Sequence, residues 1–239
     1  SPQQRAQFVR SGTVHLLVVS GVNVAILAAA VVFLFRLFGR GPRFCWTMAA
    51  LAALFYLFIT GMQPSVLRAV IMVLVYALGH ILGRNPDALN VLGASALMGA
   101  LIDPSAVIEL GYQLSYLAVL GIVVVAPALR LRAPVAPVKR SAAGVAMSWL
   151  WDSLKISLGV GLCTWPLLAY AVHMLSPIML VSNLIAGPLV TLILLVSMAA
   201  PLAIIPGVGS LLAWPLGWLC GATTFVSAFF AEIPGGHLF

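Results

Sequence analysis

The chain has 239 residues, of which 63% are hydrophobic and only 7% are charged, whereas soluble domains are about 45–50% apolar and about 25% charged. This composition excludes a soluble enzyme, a disordered tail, a collagen-like chain and a disulfide scaffold, and it indicates a polytopic membrane protein. The net charge of +7 is explained by basic cytoplasmic loops in preference to a nucleic-acid-binding surface.

Helices long enough to cross a bilayer are the predicted elements, because crossing takes roughly 20 apolar residues. The apolar runs are too long and continuous for barrel strands. The sequence therefore predicts an all-α fold with about eight hydrophobic segments, one or more of them broken or re-entrant. The fourth is short, so it is either tilted, re-entrant or buried in protein. In chain order the segments cover about 14–38, 44–60, 62–82, 88–102, 106–129, 154–174, 178–205 and 208–231.

The basic residues fall in alternate loops of this division. The loops around 61–64, 102–105 and 174–177 contain no lysine or arginine. The positive-inside rule then places the basic loops in the cytoplasm, and eight crossings put both termini outside it. Arg5 and Arg10 disagree with this topology, because they lie in the N-terminal flank that it places outside the cytoplasm. The basic loop residues are Arg36, Arg40, Arg43, Arg84, Arg130, Arg132, Lys139 and Arg140.

One long polar connection divides the chain. Pro134 and Pro137 prevent it from forming a simple helix. Because the chain begins at Ser1 without an initiator methionine, we expect it to be a piece of a longer protein. The whole chain, 1–239, is predicted to be one transmembrane domain. Its parts are a short N-terminal flank (1–13), a first helical group (14–129), a basic cytoplasmic linker (130–146) and a second helical group (147–239).

Polar side chains inside the predicted helices are the candidate functional residues, because intramembrane polar groups are costly and mark sites. Residues four apart share a helix face, so Glu109 is expected to lie beside Gln113, and Tyr112 beside Tyr116. The full candidate set is His15, Ser20, Asn23, Arg68, Glu109, Tyr112, Gln113, Ser115, Tyr116 and Asn183.

These residues leave alternatives open. The stretch around Ser20 is either a broken helix that faces a pathway or a packing seam of small residues. Arg68 either faces a pathway, reaches outward to the headgroups, or pairs with Glu109 to hold the helices together. Gln63, Pro64 and Ser65 make the turn before Arg68 irregular, as at a re-entrant mouth.

No catalytic or metal-binding pattern is visible. The four histidines lack partners at i+4, the three cysteines are far apart, and no HExxH, GxSxG or paired-carboxylate motif occurs. We therefore predict no enzyme activity, no metal and no cofactor; a metal cluster assembled in space is the alternative. Asp103, which precedes Pro104, is expected to start a turn or cap a helix. Tyr76 and His80 share a face and are expected to form a core hydrogen bond.

Four motifs follow one another along the chain: HLLVVSGVN (15–23), GMQPSVLRA (61–69), DP (103–104) with ELGYQLSYLAVLGI (109–122), and PIMLVSNLIAGP (177–188). In order and spacing, over roughly 12–235, they resemble the motifs of the ComEC competence family of DNA-internalisation proteins. Asn23 stands where the family commonly has histidine, and Tyr112 and Tyr116 replace phenylalanines.

The resemblance implies a channel in the bacterial cytoplasmic (inner) membrane that passes one DNA strand into the cytoplasm during natural transformation. It implies single-stranded DNA, the lipid bilayer and other competence-machinery proteins as partners. It also implies OB-like and metallo-β-lactamase-like domains in the parent chain. The given sequence contains no motif of either domain. Sparse positive charge with stacking surfaces suits such a conduit. The alternative is a secondary transporter for a small solute that uses Glu109 or Arg68; an intramembrane hydrolase is disfavoured because catalytic pairs are missing.

Overall fold

Helices make up the computed structural model, which describes residues 21–129, 142–172, 178–197 and 208–231. No strand occurs in these ranges, so the predicted all-α class is confirmed there. A 3-10 helix (Pro104–Ile108) precedes α5, and α5 continues into a π-helical segment (Gly121–Val125) and a last turn (Ala126–Ala128). The α-helices are α1 (Gly21–Leu37), α2 (Pro42–Ile59), α3 (Pro64–Ile81), α4 (Ala88–Ile102), α5 (Leu110–Leu120), α6 (Ala142–Val172), α7 (Ile178–Ser197) and α8 (Val208–Ala231).

Four stretches within the described ranges are long and apolar enough to cross a membrane: Pro42–Ile59, Pro64–Ile81, Leu110–Ala128 and Leu150–Ala171. Helices α1 and α4 are apolar but shorter. The chain is therefore a membrane protein by length and composition of its helices. Each of the eight predicted segments overlaps a helix, while the number of crossings stays a prediction.

The turn between α2 and α3 is tight and irregular, as predicted. Gly61 and Met62 both have positive φ, at 69° and 56°, and a left-handed conformation is uncommon for a residue with a side chain. Gln63 then precedes Pro64, which opens α3, and proline suits this position because its fixed φ matches the helix and no N–H is wasted. The turn sets the direction in which α3 and Arg68 leave it.

Helices α1, α2 and α3 form the best-packed part of the molecule. Small side chains on α2, Ala49 and Ala53, are fully buried and let the three helices approach closely. One buried cluster contains Val24, Ala53, Leu57, Val66 and Val70, and a second contains Ala28, Val32, Cys45 and Ala49. These clusters fix the position of α3, which carries Arg68.

The two helical groups of the chain meet backbone to backbone where α5 ends. A Cβ atom built on Gly121 would lie 2.5 Å from the carbonyl oxygen of Gly159 in α6. A Cβ atom built on Gly159 would lie 2.6 Å from the oxygen of Gly121. Only glycine at both positions allows this approach. Beyond it, α6 contacts α7, and α7 contacts both α8 and α1.

Two boundaries differ from the predicted ones. Helix α6 begins at Ala142, within the predicted linker 130–146, because the residues after Ser141 contain no proline until Pro166. The part 130–141 lies outside the described residues. The fifth segment is not one helix from Ala106 either: the chain is extended at Glu109, with ψ 132°, and α5 starts only after it.

Asp103 explains why the chain turns before α5. Its carboxylate accepts hydrogen bonds from Ser105 N at 3.0 Å and from Ser105 Oγ at 2.6 Å. This confirms the predicted turn or cap. The hydrogen bond from the Ser105 hydroxyl is the main reason why the pKa of Asp103 lies below its ordinary value.

The predicted hydrogen bond between Tyr76 and His80 is wrong. Their rings pack against each other with centroids 4.8 Å apart, and both also contact the ring of Trp46. His80 Nδ1 has no hydrogen-bond partner in the described part of the chain. Tyr76 and His80 lie four residues apart on one helix face, so their rings are in contact. The contact is between the rings and includes no hydrogen bond between their polar atoms.

Candidate functional site

Arg68 lies at the centre of the candidate site, in the second turn of α3. Its side chain is only 8% exposed, so it does not reach outward to solvent. Nη2 donates a hydrogen bond to the carbonyl oxygen of Gly111 at 3.0 Å, and Cζ lies 5.9 Å from the centroid of the Tyr112 ring. Nε is buried and has no hydrogen-bond partner among the described residues. The sequence stretches 61–69 and 109–122 therefore meet at this guanidinium group.

Arg68 has no carboxylate partner within 4 Å among the described residues. Glu109, the predicted partner, instead lies exposed at the N-cap of α5. The alternative in which Arg68 and Glu109 form an ion pair is therefore wrong for this structure. Glu109 still interacts electrostatically with the Arg68 guanidinium from beyond 4 Å, but a buried cation without a direct ion pair is costly in protein and in lipid alike.

Two tyrosines fasten α5 to α4. Tyr112 OH donates to the carbonyl oxygen of Ala96 at 2.6 Å, and Tyr116 OH donates to that of Ser95 at 3.0 Å. Their ring centroids are 4.6 Å apart, which confirms the predicted shared face. Gly99 leaves room for them, since a Cβ atom there would lie 3.3–3.4 Å from the two side chains. The tyrosines thereby hold the helix whose first turn contacts Arg68.

The remaining candidates of this segment, Gln113, Glu109 and Ser115, differ in their contacts. Gln113 Nε2 donates to the carbonyl oxygen of Val107 at 3.1 Å, which ties the 3-10 helix to α5. Glu109 is the N-cap of α5, and its carbonyl oxygen accepts a hydrogen bond from Gln113 N at 3.2 Å. A shared face for the two side chains stays a prediction. Ser115 is half-buried, and its hydroxyl makes no hydrogen bond within the described ranges.

The beginning of α1 packs against the beginning of α3. A Cβ atom built on Gly21 would lie 2.9 Å from Cβ of Ala69. Asn23 Nδ2 donates to Tyr56 OH at 3.4 Å, a partner that the sequence analysis missed. His15 and Ser20 lie outside the described residues. Asn183 belongs to α7, and its side chain also lies outside what the structure describes.

The described parts of three of the four motif stretches (21–23, 61–69 and 103–122) therefore come together at one end of the bundle. The N-termini of α3 and α5 both reach this end, and helix N-termini carry partial positive charge. With Arg68 between them, the region favours a negatively charged group. In the described ranges no group of three His, Cys, Asp or Glu side chains is placed to hold a metal ion.

A cavity of about 610 Å³ adjoins this cluster between α4, α5 and α6. Tyr112, Gln113 and Tyr116 supply its polar and aromatic wall, and aliphatic side chains supply the rest. An aromatic wall offers faces on which planar groups stack, with no need for a particular sequence of polar contacts. The arrangement therefore combines a buried cation with an adjacent stacking surface.

A family model matches nearly the whole chain, and two relatives match about three quarters of it. A family model described as "Competence protein" matches residues 1–238. ComE operon protein 3 of Bacillus subtilis (strain 168) is 28% identical over 184 residues, which cover 77% of this chain and 22% of that protein. The uncharacterized protein YcaI of Escherichia coli (strain K12) is 28% identical over 193 residues, with 77% and 24% covered. The chain thus spans less than a quarter of these relatives. No solved structure matches it.

Proposed function

This chain belongs to the Competence protein family, and on that premise we propose that it forms the transmembrane part of a channel that passes single-stranded DNA into the bacterial cytoplasm during natural transformation. The observation that carries the proposal is the burial of Arg68 without a carboxylate partner in the described ranges, at the point where three motif stretches converge. A passing phosphate would supply the direct ion pair that Arg68 lacks in these ranges.

The physical requirements of such a conduit fit this cluster. A single strand is a polyanion with a stacking face on every base, and conduction needs sites that bind weakly enough to release. One guanidinium group, held by Gly111 and by the ring of Tyr112, offers a single positive site. Tyr112 and Tyr116 present aromatic surface in the adjoining cavity.

The proposal places the chain in the inner membrane with eight crossings and with both termini outside the cytoplasm. In that orientation the convergence of α3 and α5 at Arg68 lies near the outer face. OB-like and metallo-β-lactamase-like domains of the parent protein and other competence proteins are its proposed partners. We assign no catalysis to this chain, so if the parent protein degrades a DNA strand, other parts of it do so.

The topology is tested by cysteine labelling in intact cells. In a background without Cys45, Cys163 and Cys220, Gln63→Cys is expected to react with a membrane-impermeant maleimide, because it lies in an outer loop. Val138→Cys is expected to react only after the cells are permeabilised. Equal labelling of both variants before permeabilisation would contradict the topology.

The channel itself is tested by blocking the cavity region. Gly93→Cys is a mild change, because Gly93 lines the cavity and a Cβ atom built on it has nothing within 4 Å. After reaction with a charged methanethiosulfonate reagent, cells carrying the full-length protein with this change are expected to lose most uptake of DNA into a nuclease-resistant form. A bulky charged group would obstruct the strand.

The matched control is Thr224→Cys, whose side chain is exposed on α8, and its modification is expected to leave uptake unchanged. Normal DNA uptake by fully modified Gly93→Cys cells would contradict the channel and favour transport of a small solute.

A further inference from the structure

An aromatic cluster lies at the opposite end of α2 and α3 from Arg68. The rings of Trp46, Tyr76 and His80 pack together, with centroid distances of 4.8–4.9 Å. Two polar atoms of this cluster, Trp46 Nε1 and His80 Nδ1, are buried and have no hydrogen-bond partner among the described residues. Buried N–H groups are nearly always paired, so the unpaired indole N–H requires an acceptor from outside these residues.

A cavity of about 270 Å³ adjoins the cluster. Trp46 and Tyr76 form part of its wall, and alanine, valine, leucine and methionine side chains of α1, α3, α4 and the helical stretch around α5 form the rest. An apolar cavity of about 150 Å³ stays dry and takes up small hydrocarbons. The cavity here is larger and is open on one side, so it suits the end of a hydrocarbon chain, with the Trp46 ring in its wall.

Arginines surround the same end of the bundle. Arg43 lies one turn before Trp46 on α2, and its Nη2 atom reaches Gly83, where a Cβ atom would lie 3.4 Å away. Arg40 and Arg84 lie in the adjoining turns. None of the three has a carboxylate within 4 Å in the described ranges, and the nearby Asp87 carboxylate is engaged by the first N–H groups of α4.

We propose that this end of the bundle binds an anionic phospholipid from the leaflet that faces it. The phosphate lies at Arg43, an ester carbonyl accepts a hydrogen bond from Trp46 Nε1, and an acyl chain enters the cavity. Arg43 and Trp46 are three residues apart, or about 4.5 Å along the helix, so both side chains lie on the same side of α2. Basic sites between transmembrane helices bind anionic headgroups in this way.

Loop charge bias alone explains the arginines, but it does not explain an unpaired indole N–H beside an apolar cavity. A nucleic acid fits the site less well, because the methyl-lined wall leaves the polar edges of a base without partners. The headgroup end of the site lies at a helix terminus, so the proposal holds for either orientation of the chain in the membrane.

Fluorescence quenching by brominated lipid tests the proposal. The purified protein is placed in phosphatidylcholine vesicles that contain a minor fraction of phosphatidylglycerol, with bromine on the acyl chains of one lipid or the other. The fluorescence of Trp46 is obtained by subtracting the emission of the Trp46→Phe variant from the emission of the unchanged protein. We expect brominated phosphatidylglycerol to quench Trp46 about fivefold more effectively than the same fraction of brominated phosphatidylcholine, and Arg43→Gln to remove about that factor.

Trp218, 66% exposed on α8, is the matched control, and both lipids are expected to quench it equally in the protein and in the Arg43→Gln variant. Equal quenching of Trp46 by the two lipids overturns the proposal, as does a preference that survives Arg43→Gln. Displacement of the brominated phosphatidylglycerol by a short single-stranded oligonucleotide also overturns it, because the arginines would then belong to a nucleic-acid site.

Discussion

Replacing Arg68 with glutamine is expected to reduce DNA uptake by roughly ten- to a hundredfold. A hydrogen bond to a charged group contributes about 1.5–3 kcal/mol, and each 1.4 kcal/mol is a factor of about ten. Glutamine has neither the charge nor the length to reach both Gly111 and a phosphate. The measurement is the nuclease-resistant DNA per cell at equal amounts of protein in the membrane.

Thermal stability is expected to change by only about 1 kcal/mol in the same variant. The change removes the hydrogen bond from Arg68 Nη2 to Gly111, but it also removes a buried charge that has no carboxylate partner in the described ranges. Replacing a poorly compensated buried charge by a neutral group is often neutral for folding. A large fall in melting temperature together with lost uptake would show that Arg68 acts only as a brace between α3 and α5.

Two further variants separate charge from geometry. Arg68→Lys keeps the charge but not the planar fork that binds phosphate in two places, so partial uptake is expected. Lys155→Gln is the matched control, because Lys155 is a cation on another membrane helix that already pairs with Asp152. Uptake near normal is expected there. Normal DNA uptake by cells that express the Arg68→Gln variant well would contradict the assignment of Arg68 to the DNA pathway.

Alanine at Gly121 is expected to destabilise the protein more than any other single-methyl change among the described glycines. The added Cβ would lie 2.5 Å from the carbonyl oxygen and 2.8 Å from the carbonyl carbon of Gly159. Both are backbone atoms, so no side chain can move aside. Overpacking of this kind costs about 1–3 kcal/mol, and the melting temperature in detergent is expected to fall accordingly.

Gly221→Ala is the control for this change. A Cβ atom built on Gly221, in α8, has nothing within 4 Å. Alanine is favoured over glycine inside a helix by about 0.5–1 kcal/mol, so this variant is expected to be unchanged or slightly more stable. If Gly121→Ala melts at the same temperature as Gly221→Ala, the close contact between α5 and α6 does not exist in solution.

The helical class and the approximate segments could be predicted because apolar length is a direct physical requirement of the bilayer. The capping role of Asp103 and the irregular turn at 61–64 could also be predicted, since proline and capping residues act locally. The convergence of motif stretches around Arg68 was not predictable in detail. Helix order along the chain does not specify which helices touch.

The contacts of the site were harder to foresee because most of their acceptors are backbone carbonyls. Arg68 binds Gly111 rather than Glu109, and the tyrosine hydroxyls bind Ser95 and Ala96. Every residue has a carbonyl, so no residue type identifies these partners. The extended conformation of Glu109 likewise depends on the 3-10 turn before it, which an i,i+4 pattern does not reveal.

The π-helical segment accounts for how one residue of α6 contacts the stretch after α5 at two positions. Successive residues of an α-helix are rotated by about 100°, so residues five apart would point about 140° away from each other. In the π-helical turn the N–H of Ala126 donates instead to the carbonyl of Gly121, which stacks the two residues along one edge. Gly159 therefore faces both of them, with Gly121 and Ala126 each within 3 Å of the position its Cβ would occupy. A helix of regular pitch would offer α6 only one of these two positions.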